Sequence, residues 1–258
     1  MATYVKRAAD LFGSQVTLVH VCDLDSNNGF ELYVRTLQEV EEDHRSVAQQ
    51  KLDSFLASEF PPATCPRVLR AGEAAEQIAE AARTEGFDLI VMPTHAGRFR
   101  RMLLGSTTAK VLDEADCPVL TTAHAETTDL RPLEHREWVC ALGLSPDSER
   151  VLRLASRAAA EAGAKLSVIH VLHHNSAEKD SAEKEARRRL DELQQAIGCD
   201  ATVSITAGAT KEALIDAAQR SAADVIIIGR TLRSGTLGRM SDLTYGVVRD
   251  SPSPVLSV

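Results

Sequence analysis

Short runs of apolar, β-branched residues alternate along the chain with longer stretches of helical composition. Val16–Val21 (VTLVHV) has strand length and strand chemistry. Helical composition then runs from Glu31 to about Phe60, where Pro61-Pro62 stops it. Arg67–Ala71 is a short strand candidate. Ala74–Glu85 reads as a helix that ends at Gly86, a C-terminal cap. Asp88–Met92 is apolar almost throughout, the pattern of a strand covered on both faces of a parallel sheet. A helix over about Thr107–Glu114 and a strand over Pro118–Thr122 complete the series. Strands alternating with helices predict right-handed βαβ units and an α/β fold with helices on both sides of a parallel sheet.

The series then repeats. VTLVHV (Val16–Val21) matches LSVIHV (Leu166–Val171). DLIVMP at Asp88 matches DVIIIG at Asp224, and CPVLTT at Cys117 matches SPVLSV at Ser253. RAGEAAEQIAEAA at Arg70 matches TAGATKEALIDAA at Thr206, with Gly72 facing Gly208. The last three pairs share one offset of 136 residues, so the chain is a tandem duplication. The expected domains are 1–125 and 137–258, joined by the polar stretch Ala123–Arg136. The halves differ at their starts. The second opens with WVCALGLSPDSERVLRLASRAAAEAGAKLSVIHV: strand, polar turn, helix, strand. The first has only MATYVKRAADLFGSQVTLVHV, the helix and its following strand. The first domain therefore lacks its first strand, which in such a sheet is central. The expectation is that the given start lies downstream of the true one, or that another segment fills the place. Otherwise two rows of backbone groups would stay unpaired.

Composition narrows the function classes. Hydrophobic residues make up 44% and charged residues 26%, enough for a packed fold rather than disorder. A net charge of −8 argues against general binding to nucleic acid or to anionic membrane. No apolar run reaches the roughly 20 residues that span a bilayer, and the first residues carry no apolar signal core. Cys22, Cys65, Cys117, Cys140 and Cys199 are scattered, with no Cys-x-x-Cys pair, as in a cytoplasmic protein with reduced thiols.

Candidate chemistry concentrates in Pro93–Thr122, PTHAGRFRRMLLGSTTAKVLDEADCPVLTT. Ligands of open parallel sheets sit outside the carboxyl ends of the strands. This loop follows Asp88–Met92, and Gly105-Ser106-Thr107-Thr108 leads into a helix whose first N–H groups attract anions. Ser106 or Thr107 would cap that helix or bond a phosphate oxygen. Capping alone, and a solvated turn for Arg98, Arg100 and Arg101, are the plainer alternatives. His95 has no sequence-adjacent partner for catalysis. His173-His174 lack a third metal ligand at a suitable spacing. The run SAEKDSAEKEARRRLDELQQ reads as an exposed helix with i,i+4 pairs.

This loop resembles the signature end of the universal stress protein family. Nucleotide-binding members of that family carry Gly-x-x-Gly, nine residues, then Gly-Ser/Thr, a helix and a Cys-Pro-Val strand. The second half ends similarly, in IIIGRTLRSGTLGRMSDLTYGVVRDSPSPVLSV. The resemblance covers nearly the whole chain. It implies two tandem Rossmann-like domains, each with a parallel sheet in strand order 3-2-1-4-5. It further implies that Val21, Met92, Thr94, His95, Ala96, Gly97, Gly105, Ser106 and Thr107 form the nucleotide site. In that reading Val21 and Met92 line the adenine pocket, and the N–H groups near Ala96–Gly97 and Gly105–Thr107 hold phosphates. Pro93 and Ala96 replace the two loop glycines, with Gly97 nearby, and only eight residues separate Ala96 from Gly105. The family's ribose-binding acid falls in the absent first strand, and in the second half Gly143 takes its place. The second loop keeps Gly229 but has Leu232 and Ser241-Asp242 at the other positions. Asp242 would repel phosphate, so the second half is expected not to bind.

The resemblance implies a stress-response regulator that binds ATP with magnesium through its first domain and has no catalytic activity. An assembly protein that has lost the nucleotide stays open as the alternative. An enzyme acting on nucleotides has the least support, because no triad, paired-carboxylate or metal motif is present. The family also implies pairing of the two domains along Pro118–Thr122 and Pro254–Val258, with a homodimer as a further arrangement.

Overall fold

The computed structural model describes residues 2–22, 37–94, 104–122, 136–172, 179–230 and 241–258. It divides into two compact units. One comprises residues 1–88 with 114–116, the other residues 89–113 with 117–258. The linker residues 123–135, His173-His174 and residues 23–36 lie outside the described residues.

The first unit contains α1 (Ala2–Phe12), β1 (Leu18–Cys22), α2 (Leu37–Ser54), β2 (Arg67–Ala71) and α3 (Ala74–Glu85). β1 and β2 pair in parallel, Leu18 opposite Arg67 through Cys22 opposite Ala71, and form a two-stranded sheet of their own. Tyr4, Leu52, Phe60, Cys65, Ala75 and Ala81 are buried. The Arg67 guanidinium donates to the carbonyls of Leu52 and Phe60, both at 2.8 Å, and so satisfies the open end of α2. That helix ends at Ser54, short of the expected Phe60. The chain leaves it through a turn with Leu56 at φ 50°, before Pro61-Pro62 can act. α3 matches its expected bounds. The Glu73 carboxylate accepts from the Glu76 amide at 2.9 Å, and Gly86 turns out of the helix at φ 73°.

The second unit holds β3 (Ile90–Pro93), α4 (Ser106–Glu114, apart from its last residue), β4 (Val119–Thr122) and the whole second repeat. That repeat comprises β5 (Glu137–Ala141), α5 (Ser148–Glu161), β6 (Lys165–Leu172), α6 (Lys179–Ile197), β7 (Thr202–Ala207), α7 (Thr210–Arg220), β8 (Val225–Ile228), α8 (Asp242–Asp250) and β9 (Val255–Ser257). Its seven strands run in the order β3-β4-β9-β8-β5-β6-β7. From β7 to β9 this is 3-2-1-4-5, parallel throughout. β5 is apolar and central: Trp138, Val139 and Cys140 are buried, and the strand pairs with β6 on one edge and β8 on the other. The Asp224 carboxylate accepts from the amides of Arg136 and Glu137, at 2.7 and 2.9 Å, and fixes where β5 begins.

β4 and β9 pair antiparallel, Val119 opposite Ser257 and Thr121 opposite Val255, and both strands are fully buried. The Thr121 hydroxyl donates to the Val255 carbonyl at 3.2 Å. The last strands of the two repeats thus join in one sheet. Equivalent hydrogen bonds recur at the repeat offset. The Ile90 amide donates to the Pro118 carbonyl at 3.0 Å, and the Ile226 amide to the Pro254 carbonyl at 2.9 Å. Gly72 and Gly208 take the same left-side conformation, φ 128° and 146°, directly after β2 and β7. Among the described residues no helix is long and apolar enough to cross a membrane.

Candidate functional site

In the second unit the carboxyl end of β3 is tied to the start of α4 by two hydrogen bonds and to β4 by a further pair. The Gly105 amide donates to the Thr94 carbonyl at 2.9 Å. The Thr108 hydroxyl donates to the Pro93 carbonyl at 3.0 Å. The Thr94 amide and hydroxyl both reach the Thr122 carbonyl, at 3.4 and 3.3 Å. Thr94 and Thr108 are buried, so their hydroxyls serve the fold. Ser106 is exposed and Thr107 half-buried.

α4 begins at Ser106, so Ser106 and Thr107 lie inside its first turn and neither is the cap expected from sequence. Gly105 precedes the helix and brings no side chain to the first N–H groups, while its carbonyl accepts from Ala109 at 2.9 Å. First-turn N–H groups without a side-chain acceptor are available to an anion. No acidic residue stands in the first turn of α4.

Pro93 leaves the β3–β4 ladder intact. The amides of Ile90 and Thr94 point to β4, so position 93 points to the other edge, where among the described residues no strand pairs with β3. Met92 is half-buried in β3, opposite Thr121. Val21 lies in β1, in the first unit. His95, Ala96 and Gly97 lie outside the described residues, as do the three arginines of the loop.

The matching place in the second repeat is built differently. Ser241 caps α8: its hydroxyl accepts from the Thr244 amide at 3.2 Å, and Asp242 follows in the first turn. The helix start therefore already holds an acceptor and a negative charge. Arg230, at the position equivalent to Thr94, is turned to the sheet partner. Its guanidinium donates to the carbonyls of Leu112 at 3.1 Å and Cys117 at 2.8 Å, and its amide donates to the Val258 carbonyl at 2.8 Å. Gly229 packs closely, since a Cβ there would stand 3.2 Å from a Val151 methyl. Beyond β5, Leu144 sits at φ 54°, and a hollow of about 250 Å³ is lined by Leu144, Ser145, Arg189 and Glu192. The guanidinium of Arg189 is engaged there with the Leu144 carbonyl at 3.0 Å. Among the described residues no group of His, Cys, Asp or Glu side chains could hold a metal ion.

Sequence reasoning missed Arg230, because nothing in IIIGRTLRSG says which carbonyls its guanidinium meets. It also treated Thr94 as a ligand contact without seeing its structural bonds. An apolar strand followed by an arginine, on a strand that neighbours the other repeat, was the one available signal for Arg230.

A tandem α/β chain with this strand order, a glycine before a Ser/Thr-led helix and last strands joined across the repeats defines a Rossmann-like class. The model of the universal stress protein family matches residues 1–122 and 136–258, and the chain belongs to that family. Universal stress protein A homolog 2 of Coxiella burnetii is 29% identical over 119 residues, 45% of this chain and 81% of that protein. The crystal structure of a universal stress protein from Archaeoglobus fulgidus covers 98% of this chain and 90% of its own, with 21% identity and a TM-score of 0.70, a likeness of fold. Another structure, of the universal stress protein from Archaeoglobus fulgidus in complex with dAMP, covers 48% of this chain and 98% of its own, at 24% identity and a TM-score of 0.40.

Proposed function

We propose that this universal stress-type chain is a non-enzymatic regulator whose first repeat binds the phosphates of an adenine nucleotide, ATP with magnesium, at the β3–α4 turn. The observation that carries this reading is the contrast between two helix starts. α4 opens on Gly105, without a capping side chain or an acid in its first turn, whereas α8 opens on Ser241-Asp242. The chain retains Gly105, Ser106 and Thr107 at the positions where nucleotide-binding members of the family have Gly-Ser/Thr. The anchors through Thr94 and Thr108 hold that turn rigidly against β3.

The second reading is an assembly protein without a nucleotide. Pro93 and Gly143, at positions of loop glycine and ribose acid, favour it, as does the joined β4–β9 sheet. Calorimetric titration of the full chain with Mg·ATP separates the two. The regulator reading expects saturable binding in the micromolar range, about −8 kcal/mol. Gly105→Asp supplies a cap acceptor and a negative charge at the same place, so it should keep the fold and weaken binding at least about tenfold. Equal affinity in Gly105→Asp rejects the assigned turn. Absence of saturable binding in the unchanged chain supports the assembly reading.

A further inference from the structure

We propose that Arg230 is a positioning residue for the first repeat's phosphate turn. From the second repeat it holds the last turn of α4, and so keeps formed the first turn, to which the phosphates are assigned; the role at phosphate rests on that assignment.

The two repeats close the end of their last helix in different ways. In the second repeat the closure is local. The Ser251 hydroxyl donates to the Ser253 carbonyl at 2.6 Å, and the Ser251 amide to the Val247 carbonyl at 2.9 Å. Arg249 stands in the last turn of α8. In the first repeat, at the offset of 136, the place of Ser251 is taken by Ala115, which has no hydroxyl, and that of Arg249 by Asp113. The last turn of α4 carries no basic residue, and Asp113 and Glu114 in it are acidic. Negative charge is unfavourable at that end of a helix.

The first repeat draws its closure from the second. The Arg230 guanidinium donates to the Leu112 carbonyl, in the last turn of α4, at 3.1 Å and to the Cys117 carbonyl at 2.8 Å. Cys117 is the counterpart of Ser253. The carbonyl that a serine of the same repeat serves at the end of α8 is thus served at the end of α4 by an arginine of the other repeat. Thr94, the counterpart of Arg230, gives its hydroxyl to the Thr122 carbonyl of its own repeat.

The two ends of α4 are linked because the helix is short. It has nine residues, about 13 Å of length. A helix of that size does not hold by itself, and its hydrogen bonds form and open cooperatively. A two-pronged cation on its last carbonyls therefore supports the whole helix. That includes the bond from the Ala109 amide to the Gly105 carbonyl, which closes the first turn.

The test compares amide hydrogen exchange in the full chain at two matched positions. One is Ala109. The other is Tyr245, whose amide donates to the Ser241 carbonyl at 3.0 Å in the first turn of α8. Arg230→Met should speed exchange at Ala109 at least about tenfold and leave Tyr245 within about twofold. Adding Ala115→Ser to Arg230→Met supplies the closure that the second repeat uses, and should return Ala109 most of the way. Calorimetric titration should show Mg·ATP affinity falling at least about fivefold in Arg230→Met. Equal acceleration at Ala109 and Tyr245, or none at Ala109, overturns the proposal, because a general loss of stability acts on both. Unchanged Mg·ATP affinity in Arg230→Met also overturns it, and leaves the phosphate assignment standing. If the unaltered chain does not bind Mg·ATP, the phosphate assignment fails, and the matched amides alone decide whether Arg230 sets the first turn. If Arg230→Met does not fold, Arg230→Lys, which keeps the charge and loses the fork, takes its place in both measurements.

Discussion

Ile90 and Ile226 are the same residue at the same place in the two repeats, yet one is half-buried and the other has no exposed surface. Leu89 and Val225, one position earlier, are 40% and 2% exposed. The difference lies in what stands beside the strand. β8 has β9 on one edge and β5 on the other, while among the described residues β3 pairs only with β4. Asp224, which fixes the start of β5, has an exposed counterpart in Asp88. Two nearly identical strand sequences thus differ in burial, because β5 stands beside β8 while, among the described residues, no strand pairs with the matching edge of β3. The same contrast separates the two helix starts. α8 closes on its own serine and Arg230 bonds carbonyls of the neighbouring repeat, while α4 opens on Gly105, which has no side chain to cap it.

The largest expected effect comes from the matched isoleucines. Ile226→Ala should cost about 2–5 kcal/mol, the range for emptying a fully packed site, and Ile90→Ala less than half as much. Equal losses in chemical denaturation would mean that β3 is as enclosed as β8, and the comparison would fail. Next is Arg230→Met, which leaves the Leu112 and Cys117 carbonyls without their charged donor. We expect a loss of about 2 kcal/mol. Thr94→Val, at the equivalent place, gives up a single neutral donor, and the expected loss is about 1 kcal/mol. If Arg230→Met melts like the unaltered chain, the guanidinium does not tie the repeats.

The smallest effect concerns Asp250 at the end of α8. The Arg249 guanidinium, hydrogen-bonded to its carboxylate, and then the Lys211 ammonium at 3.0 Å lower its pKa from 3.8 to about 2. A depressed carboxylate stabilises the fold above its unfolded pKa, and that contribution disappears as pH falls through the folded value. Asp250→Asn should therefore cost under about 1 kcal/mol at neutral pH, given its partial exposure. The gap between variant and unaltered chain should close between about pH 4 and about pH 2. A gap that persists below that range would assign the effect to packing.

Much of this was legible in the sequence, for local reasons. The repeat offset, the α3 bounds at Glu73 and Gly86 and the parallel order implied by alternating elements all follow from residue pattern over short range. The end of α2 was misplaced because a left-handed turn at Leu56 acts before the proline pair, and no composition signals it. Family resemblance named Gly105–Thr107. It did not tell that the helix begins at Ser106, which makes Gly105 the residue before it.

By itself, then, the chain determined which segments become strands and helices, because periodicity and end residues act within a few positions. It also determined that the halves share one plan. Only the tertiary structure decided which strands are enclosed, because enclosure depends on a neighbour far away in sequence: β5 for β8, and β9 for β4. It alone gave Arg230, Thr94 and Thr108 their structural bonds. A guanidinium or hydroxyl can reach many carbonyls, and the fold brings only certain ones within hydrogen-bond distance.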